Sequence, residues 1–292
     1  MAKTVFTLTS SELKVDDDMK KSFEENGYII VKSLLSSEEL EKLSRVLEID
    51  GGIRDNAILL NDGHGRNSRL SVWSHPGKDI TGMLARSDKV AGTIEELMGG
   101  EVYHYHTKLV MKEARTGGSF VWHQDYGYWY QNTCLFPDLA SVFIAIDKTD
   151  IENGCLKILK GSHKAGRIDH IRVGGQNGAD MTRVEMLMKK LELINVELEA
   201  GDALFFHCNV LHRSDQNNSD RRRWAFILSY NMASNDPVLP HHHPQYTPLI
   251  KVRNEEILAC DCTDLSGKGF MDPADDKSIE AQKEVDVNKT SS

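Results

Sequence analysis

The stretch FVWHQDYGYWYQ, residues 120–131, sets His123 and Asp125 two apart inside a run of aromatic residues. Both side chains prefer water, and burying either without a partner is costly. On an extended strand, residues i and i+2 share a face. A hydrogen-bonded core pair and a metal-binding pair are therefore both open readings. A second histidine, His212, ends the segment GDALFFHCNVLH, with Ser214 and Arg223 beyond it. Two histidines and one carboxylate can take one face of an octahedral metal and leave three positions open, the arrangement of non-haem Fe(II) oxygenases. The same three side chains can also hold a hydrolytic zinc. An arginine beside such a centre can clamp a carboxylate through two parallel hydrogen bonds. A keto-acid co-substrate needs that clamp, and a zinc hydrolase does not.

These residues need elements to position them. A helical part comes first. Residues 15–26 open on acidic residues and follow a helical pattern that stops before Gly27, and Tyr28 to Val31 is a short strand. Ser36 and Glu39 form a capping-box pair ahead of a helix with Leu40, Leu43, Val46 and Leu47 on one face. Residues 51–80, rich in Gly, Asn and Asp, read as irregular, and a further helix over 89–98 stops at Gly99-Gly100.

From residue 101 the pattern turns to strands. EVYHYHTKLVMKEA places Val102, His104, His106, Lys108 and Val110 on one face and Tyr103, Tyr105, Thr107, Leu109 and Met111 on the other. SVFIAIDKT and CLKILKGSH flank an Asn153-Gly154 turn signal, and VELEAGDALFFHCNVLHRS and RRRWAFILSYNM supply further strands. An insertion at 164–194, glycine- and charge-rich and then helical from 181, can form a pocket wall or a lid. Helices followed by many strands predict a mainly β core with flanking helices, a jelly roll or a barrel. The expected organisation is a single domain over residues 1–271. Its helical part covers about 12–98 and its core about 101–235, and residues 272–292 form a disordered acidic tail.

Bulk properties narrow the function classes. With 292 residues and 40% hydrophobic composition, the chain can bury a core without staples. A net charge of −9 argues against a non-specific nucleic-acid binder. The five cysteines are odd in number and include no CxxC pair, so neither a disulfide framework nor a structural zinc site is expected. The sequence shows no stretch of signal-peptide character and none near the roughly 20 apolar residues of a membrane span. A cytoplasmic protein with a small-molecule substrate, and no membrane or nucleic-acid partner, is the expectation; the oligomeric state stays open.

Four segments together resemble the phytanoyl-CoA dioxygenase family: FEENGYIIVKSLLSSEEL, WHQD, ENGCLKILKGSH and GDALFFHCNVLHRSDQNNSDRRR. The resemblance spans roughly residues 20–240. It implies a double-stranded β-helix (jelly-roll, cupin-like) core and dependence on Fe(II), 2-oxoglutarate and O2. Carried over, it makes His123, Asp125 and His212 the iron ligands. Arg223 becomes the anchor of the distal carboxylate of 2-oxoglutarate, with Ser214 assisting; Arg221 and Arg222 compete for the anchor role. Within the family, HQDYGYW behind an EVYHYHTKLVMK strand is closest to ectoine and free L-proline hydroxylases, which act on small zwitterions. That likeness assigns Tyr126, Trp129 and Phe120 to the substrate pocket and His106 and Lys108 to the 2-oxoglutarate side. The expected reaction is hydroxylation of an unactivated carbon with release of succinate and CO2. Halogenating relatives lack the carboxylate at the Asp125 position, so its presence points to hydroxylation or a related oxidation.

Other residues have plainer readings. His207 lies an odd number of residues from His212 and faces away on a straight strand. His241, His242 and His243 lack strand spacing and a carboxylate partner, which suits a surface or loop position. His104 and His106 can be satisfied core histidines, Asp202 a turn residue, and Gly161-Ser162-His163 an architectural turn. Competing functions are the same chemistry on an acyl-CoA, lipid or specialised metabolite, and a metal- and 2-oxoglutarate-binding module without turnover.

Overall fold

The computed structural model describes residues 3–8, 13–49, 51–173 and 176–272. The tail expected at 272–292 lies outside them apart from Asp272. The strands, in chain order, are β1 (Val5–Thr7), β2 (Tyr28–Lys32), β3 (Ile58–Asn61), β4 (Asn67–Trp73), β5 (Val102–Lys112), β6 (Phe120–His123), β7 (Leu139–Ala145), β8 (Leu156–Leu159), β9 (His170–Val173), β10 (Gln176–Ala179), β11 (Leu193–Val196), β12 (Ala203–His207), β13 (His212–Ser214) and β14 (Arg223–Met232). The helices are α1 (Asp17–Asn26), α2 (Ser37–Leu47), α3 (Ile80–Arg86), α4 (Thr93–Met98), the single turn α5 (Tyr126–Trp129), α6 (Met181–Met188) and α7 (Glu255–Ala259).

A large sheet of order β1-β2-β12-β7-β14-β5-β4-β3 faces a small one of order β11-β8-β13-β6. Alternation along the large sheet sorts its side chains into two cores. Tyr28, Ile30, Phe143, Leu204, Phe206 and Ala225 point inward and pack with Leu156, Ile158 and Val196 of the small sheet. Ile29, Val31, Val142, Ile144, Phe205, Phe226 and Leu228 point outward and pack under the helices with Met19, Phe23, Leu43 and Leu47. The two facing sheets make the jelly roll, and the helical layer closes only the outer face of the large sheet.

The helix ends follow sequence chemistry. The hydroxyl of Ser36 accepts from the Glu39 N–H at 3.2 Å while the Glu39 carboxylate accepts from the Ser36 N–H at 2.8 Å; caps of this kind contribute about 1 kcal/mol. The same carboxylate takes Lys89 Nζ at 2.6 Å on both oxygens, tying α2 to the segment before α4. That segment, Asp88–Gly92, is a π-helical turn, so the helix expected over 89–98 is a π turn followed by α4.

Residues 51–80 are not uniformly irregular. β3 and β4 form a hairpin that continues the large sheet beyond β5. β3 is the sheet edge and β4 pairs on both sides, and pairing with β5 supplies the ladder that the surrounding Gly, Asn and Asp content does not reveal. The helix expected over 181–194 stops at Met188, and Leu193–Val196 pairs antiparallel with β8 instead. The glycine- and charge-rich residues before it include the hairpin β9–β10. Among the described residues, no helix is long and apolar enough to cross a membrane.

Candidate metal centre and its pocket

β6 and β13 lie antiparallel, and their register sets His123 directly opposite His212. The two rings sit 4.0 Å apart, centroid to centroid. Asp125 arrives differently from the alternation expected of a strand. β6 ends at His123, and Asp125 has helical φ and ψ of −57° and −41° as the residue leading into α5. The chain turns there because Gln124 is fastened on every side. Its backbone N–H donates to His170 Nε2 at 2.9 Å and its amide donates to the carbonyls of Gly166 and Asn209, both at 2.8 Å. Its amide oxygen accepts from the Ile168 N–H at 2.7 Å. A Cβ on Gly127 would lie 2.0 Å from the His170 ring, so only glycine lets this turn close. The result still gathers one ligand atom from each of His123, Asp125 and His212 within 4.8 Å of one another.

The donor set fits a metal ion. The Nδ1 atoms of His123 and His212 lie 2.8 and 2.9 Å from the carbonyls of Val121 and Val210. A carbonyl only accepts, so Nδ1 carries the proton and Nε2 keeps its lone pair, as a metal-binding imidazole requires. Burial, helped by His212, holds His123 down at about 3, so the ring is neutral at physiological pH. Burial acts on Asp125 in the opposite sense, but Lys108, the two histidines and Tyr128 outweigh it and keep the carboxylate ionised. One oxygen of Asp125 accepts from the Tyr128 hydroxyl at 2.6 Å, which fixes its orientation.

The triad opens into a cavity of about 230 Å³ between the sheets. Arg223 stands at one end. Its guanidinium is 1% exposed, donates to the Gly154 carbonyl at 2.9 Å and lies 5.5 Å from the Phe143 ring centre; Nε is buried with no partner. Gly154 makes this possible through a left-handed φ of 76°. Burial lowers Arg223 to about 10, which leaves it charged at neutral pH. Arg221 is not on the strand at all: it precedes β14 and pairs with Asp150 and Glu152 at the surface. Arg222 pairs with Glu48 and Asp147. Of the three arginines, only Arg223 lines the cavity.

No sequence motif marks Lys112. It pairs with Arg223 across β5 and β14, is fully buried, and donates to the Ser214 hydroxyl at 2.7 Å and to the Asp215 carbonyl. Burial and then Arg223 push its pKa well down. An anion bound beside Arg223 would offset the repulsion between the two groups and favour the charged form of Lys112. The signal for Lys112 was its place on the Lys108–Val110 face of β5. Phe120 lines the cavity as expected of a pocket residue, at the end where Lys112 Nζ stands 5.4 Å from its ring centre.

The opposite end differs from expectation in three ways. Ser229 pairs with His106 but Tyr230 pairs with His104, so Tyr105 is a bulge residue and the alternation breaks there. His104 therefore leaves the His106 face and bonds Ser74 and Thr107, while His106 enters the cavity. Tyr126 does not line the cavity; on the helical turn it points into a separate aromatic cluster and donates to the Cys134 carbonyl at 3.1 Å. Tyr128 and Trp129 line it instead. The histidine tract is not superficial. His243 is 9% exposed and stacks on His106 at 4.7 Å, and both it and His242 line the cavity. His207 lies outside, against Phe23 and His163. From the insertion, Gln176 and Asn177 reach the cavity wall.

Comparison with known proteins agrees with this geometry. The family model for phytanoyl-CoA dioxygenase (PhyH) matches residues 23–225. An L-proline trans-4-hydroxylase of Streptomyces griseoviridis is 27% identical over 82% of this chain and 97% of its own length. An ectoine dioxygenase of Bordetella parapertussis is 27% identical over 75% of this chain and 76% of its own. Among solved structures, EctD from S. alaskensis with 2-oxoglutarate and 5-hydroxyectoine superposes with a TM-score of 0.68 at 21% identity, covering 82% of this chain and 88% of that one. The same protein with bound Fe gives 0.67.

Proposed function

The chain belongs to the phytanoyl-CoA dioxygenase family, and from that premise we propose that it is an Fe(II)- and 2-oxoglutarate-dependent hydroxylase of a small polar metabolite, a free amino acid or related zwitterion. The observation that carries the reading is the presence of the His123–Asp125–His212 triad and the buried Arg223 in one cavity, with Lys112 opposite Arg223 on β5 and bonded to Ser214 of the cavity wall. When bound, iron with 2-oxoglutarate and O2 supplies the oxidation of an unactivated C–H to C–OH, with succinate and CO2 as the other products.

The chain's own groups do the holding. His123 and His212 would offer Nε2 and Asp125 one carboxylate oxygen, each ring locked by its Nδ1 carbonyl contact and the carboxylate by Tyr128. Arg223 would take the distal carboxylate of the co-substrate, with Lys112 held beside it by Ser214. Phe143, Leu156, Phe206 and Ile227 line the cavity as apolar walls and strengthen these charge contacts by excluding water. A hydrolytic zinc would have no use for the buried Arg223–Lys112 pair. A CoA-sized substrate is disfavoured because the cavity is small and its arginine, Arg223, is buried inside it.

The test is anaerobic difference spectroscopy of the purified protein with Fe(II) and 2-oxoglutarate. A weak visible charge-transfer band, absent from Asp125→Ala, is expected. Iron binding without that band would refute the co-substrate assignment.

A further inference from the structure

The co-substrate reading leaves the far end of the cavity unused. β5 presents Val110, Lys108 and His106 to the cavity, and further along the strand Lys112 lies opposite Arg223 as His106 lies opposite Ser229. At about 3.3 Å per residue, Lys108 and His106 stand about 13 and 20 Å along the strand from Lys112. A five-carbon dicarboxylate held at Arg223, with its keto end at the triad, does not extend to His106.

That far end holds polar atoms with nothing to bind. Both ring nitrogens of His106 and the indole Nε1 of Trp129 are buried without a hydrogen-bond partner. Such atoms are costly unless a ligand completes them. Lys108 Nζ stands among them, 3.4 Å from the Tyr128 hydroxyl and 5.6 Å from the Trp129 ring centre. His243 stacks on His106 and fixes its plane. The inventory is one-sided: an ammonium and an indole N–H are pure donors, and a neutral imidazole adds one donor and one acceptor. Among the described residues lining the cavity, the one carboxylate is Asp125, and it belongs to the triad. Among the described residues, no second carboxylate lines the cavity to pair with a substrate ammonium. Ile58, Leu60, Leu70 and Val72 of β3 and β4, with Met271, supply an apolar wall.

We infer that the substrate is recognised through a carboxylate docked on Lys108 and Trp129 Nε1, with His106 as the orienting imidazole, and that its amine, if it has one, makes no ion pair with the protein. The inference rests on the hydroxylase reading and deepens it. Substrates would be small carboxylic acids with a compact hydrocarbon skeleton. Amino acids would be accepted for their acid end.

Three probes separate the possibilities: L-proline, cyclopentanecarboxylate, which lacks the amine, and L-prolinamide, which lacks the carboxylate. Each is titrated anaerobically into protein loaded with Fe(II) and 2-oxoglutarate, reading both calorimetric heat and the shift of the visible band. Both acids should bind with affinities within about threefold of each other, and the amide about 30-fold or more weaker. Lys108→Gln should remove most of that preference. Trp129→Phe keeps the ring, loses only the N–H, and should weaken the acids alone by about tenfold, so a variant that folds poorly does not decide the matter. Amide binding equal to or better than acid binding, a strict need for the amine, or no response to either acid overturns the inference. The band before any probe is added reports the hydroxylase reading separately, and the heats decide the carboxylate question whether or not the band forms.

Discussion

Truncating Arg223 to methionine should cripple binding of 2-oxoglutarate and leave iron binding intact. The guanidinium is 1% exposed and lies among Phe143, Gly154 and Lys112 rather than in water. Removing one partner of a buried, hydrogen-bonded charge pair costs about 2–5 kcal/mol. Lys112, opposite it on β5, remains to hold part of the anion, which places the loss in the lower half of that range. About 2–3 kcal/mol corresponds to a dissociation constant raised about 30- to 150-fold. The assay is anaerobic titration of 2-oxoglutarate into Fe(II)-loaded protein, following the visible band, with iron stoichiometry measured on the same samples. Arg221→Met is the control: its guanidinium pairs with Asp150 and Glu152 at the surface, and affinity should stay within about twofold. A value for Arg223→Met within threefold of wild type, at unchanged iron content, would falsify the anchor assignment and with it the orientation of the co-substrate.

Further predictions concern the frame around the site. Gly127→Ala should destabilise the fold by about 1–3 kcal/mol, because the new methyl would meet the His170 ring that holds the Gln124 backbone between two triad members; a chemical-denaturation midpoint equal to wild type would contradict it. Lys268→Met should cost about 3–5 kcal/mol, since it strands Asp79 in a buried ion pair of 2.6 Å whose side chains are both 0% exposed; a melting temperature near wild type would show that the pair is dispensable. Acid should destabilise the metal-free protein before its carboxylates titrate. Burial lowers His104 to about 3 and His170 and His207 to about 4. The unfolded chain therefore binds more protons than the folded one below about pH 6.5. Their stabilising contribution is complete above that pH and falls by about 1 kcal/mol per histidine per pH unit as pH drops towards 4. Thermal melts flat between pH 7 and 5 would be inconsistent with these buried neutral rings.

The comparison of sequence with structure turns on where local rules hold. Ser36 and Glu39 cap α2 as their types require, because a capping box is closed by residues three apart and needs no other part of the chain. β12 and β14 were legible as strands for a similarly local reason: a strand with one face on each of two cores reads as a nearly continuous apolar run. Residue type and order brought forward His123, Asp125, His212 and Arg223 as candidates, since few other side chains can bind iron or clamp a carboxylate, and the family resemblance chose them from among the neighbouring histidines and arginines.

Only the tertiary structure decided how they meet. Asp125 reaches the histidines from a helical turn that His170 and Gly166 enforce on Gln124 from more than 40 residues away, not through the strand alternation that the spacing suggests. The bulge at Tyr105 sends His104 and His106 to different places because the partner strand, not the local sequence, sets the ladder. Arg223 is separated from Arg221 by where β14 begins, and Lys112 gains its meaning only from lying opposite Arg223. His242 and His243 carry no periodicity, and the fold brings them to His106 from more than 130 residues away. Chemistry was written in residue types; proximity came from pairing and packing between distant segments, which no local pattern encodes.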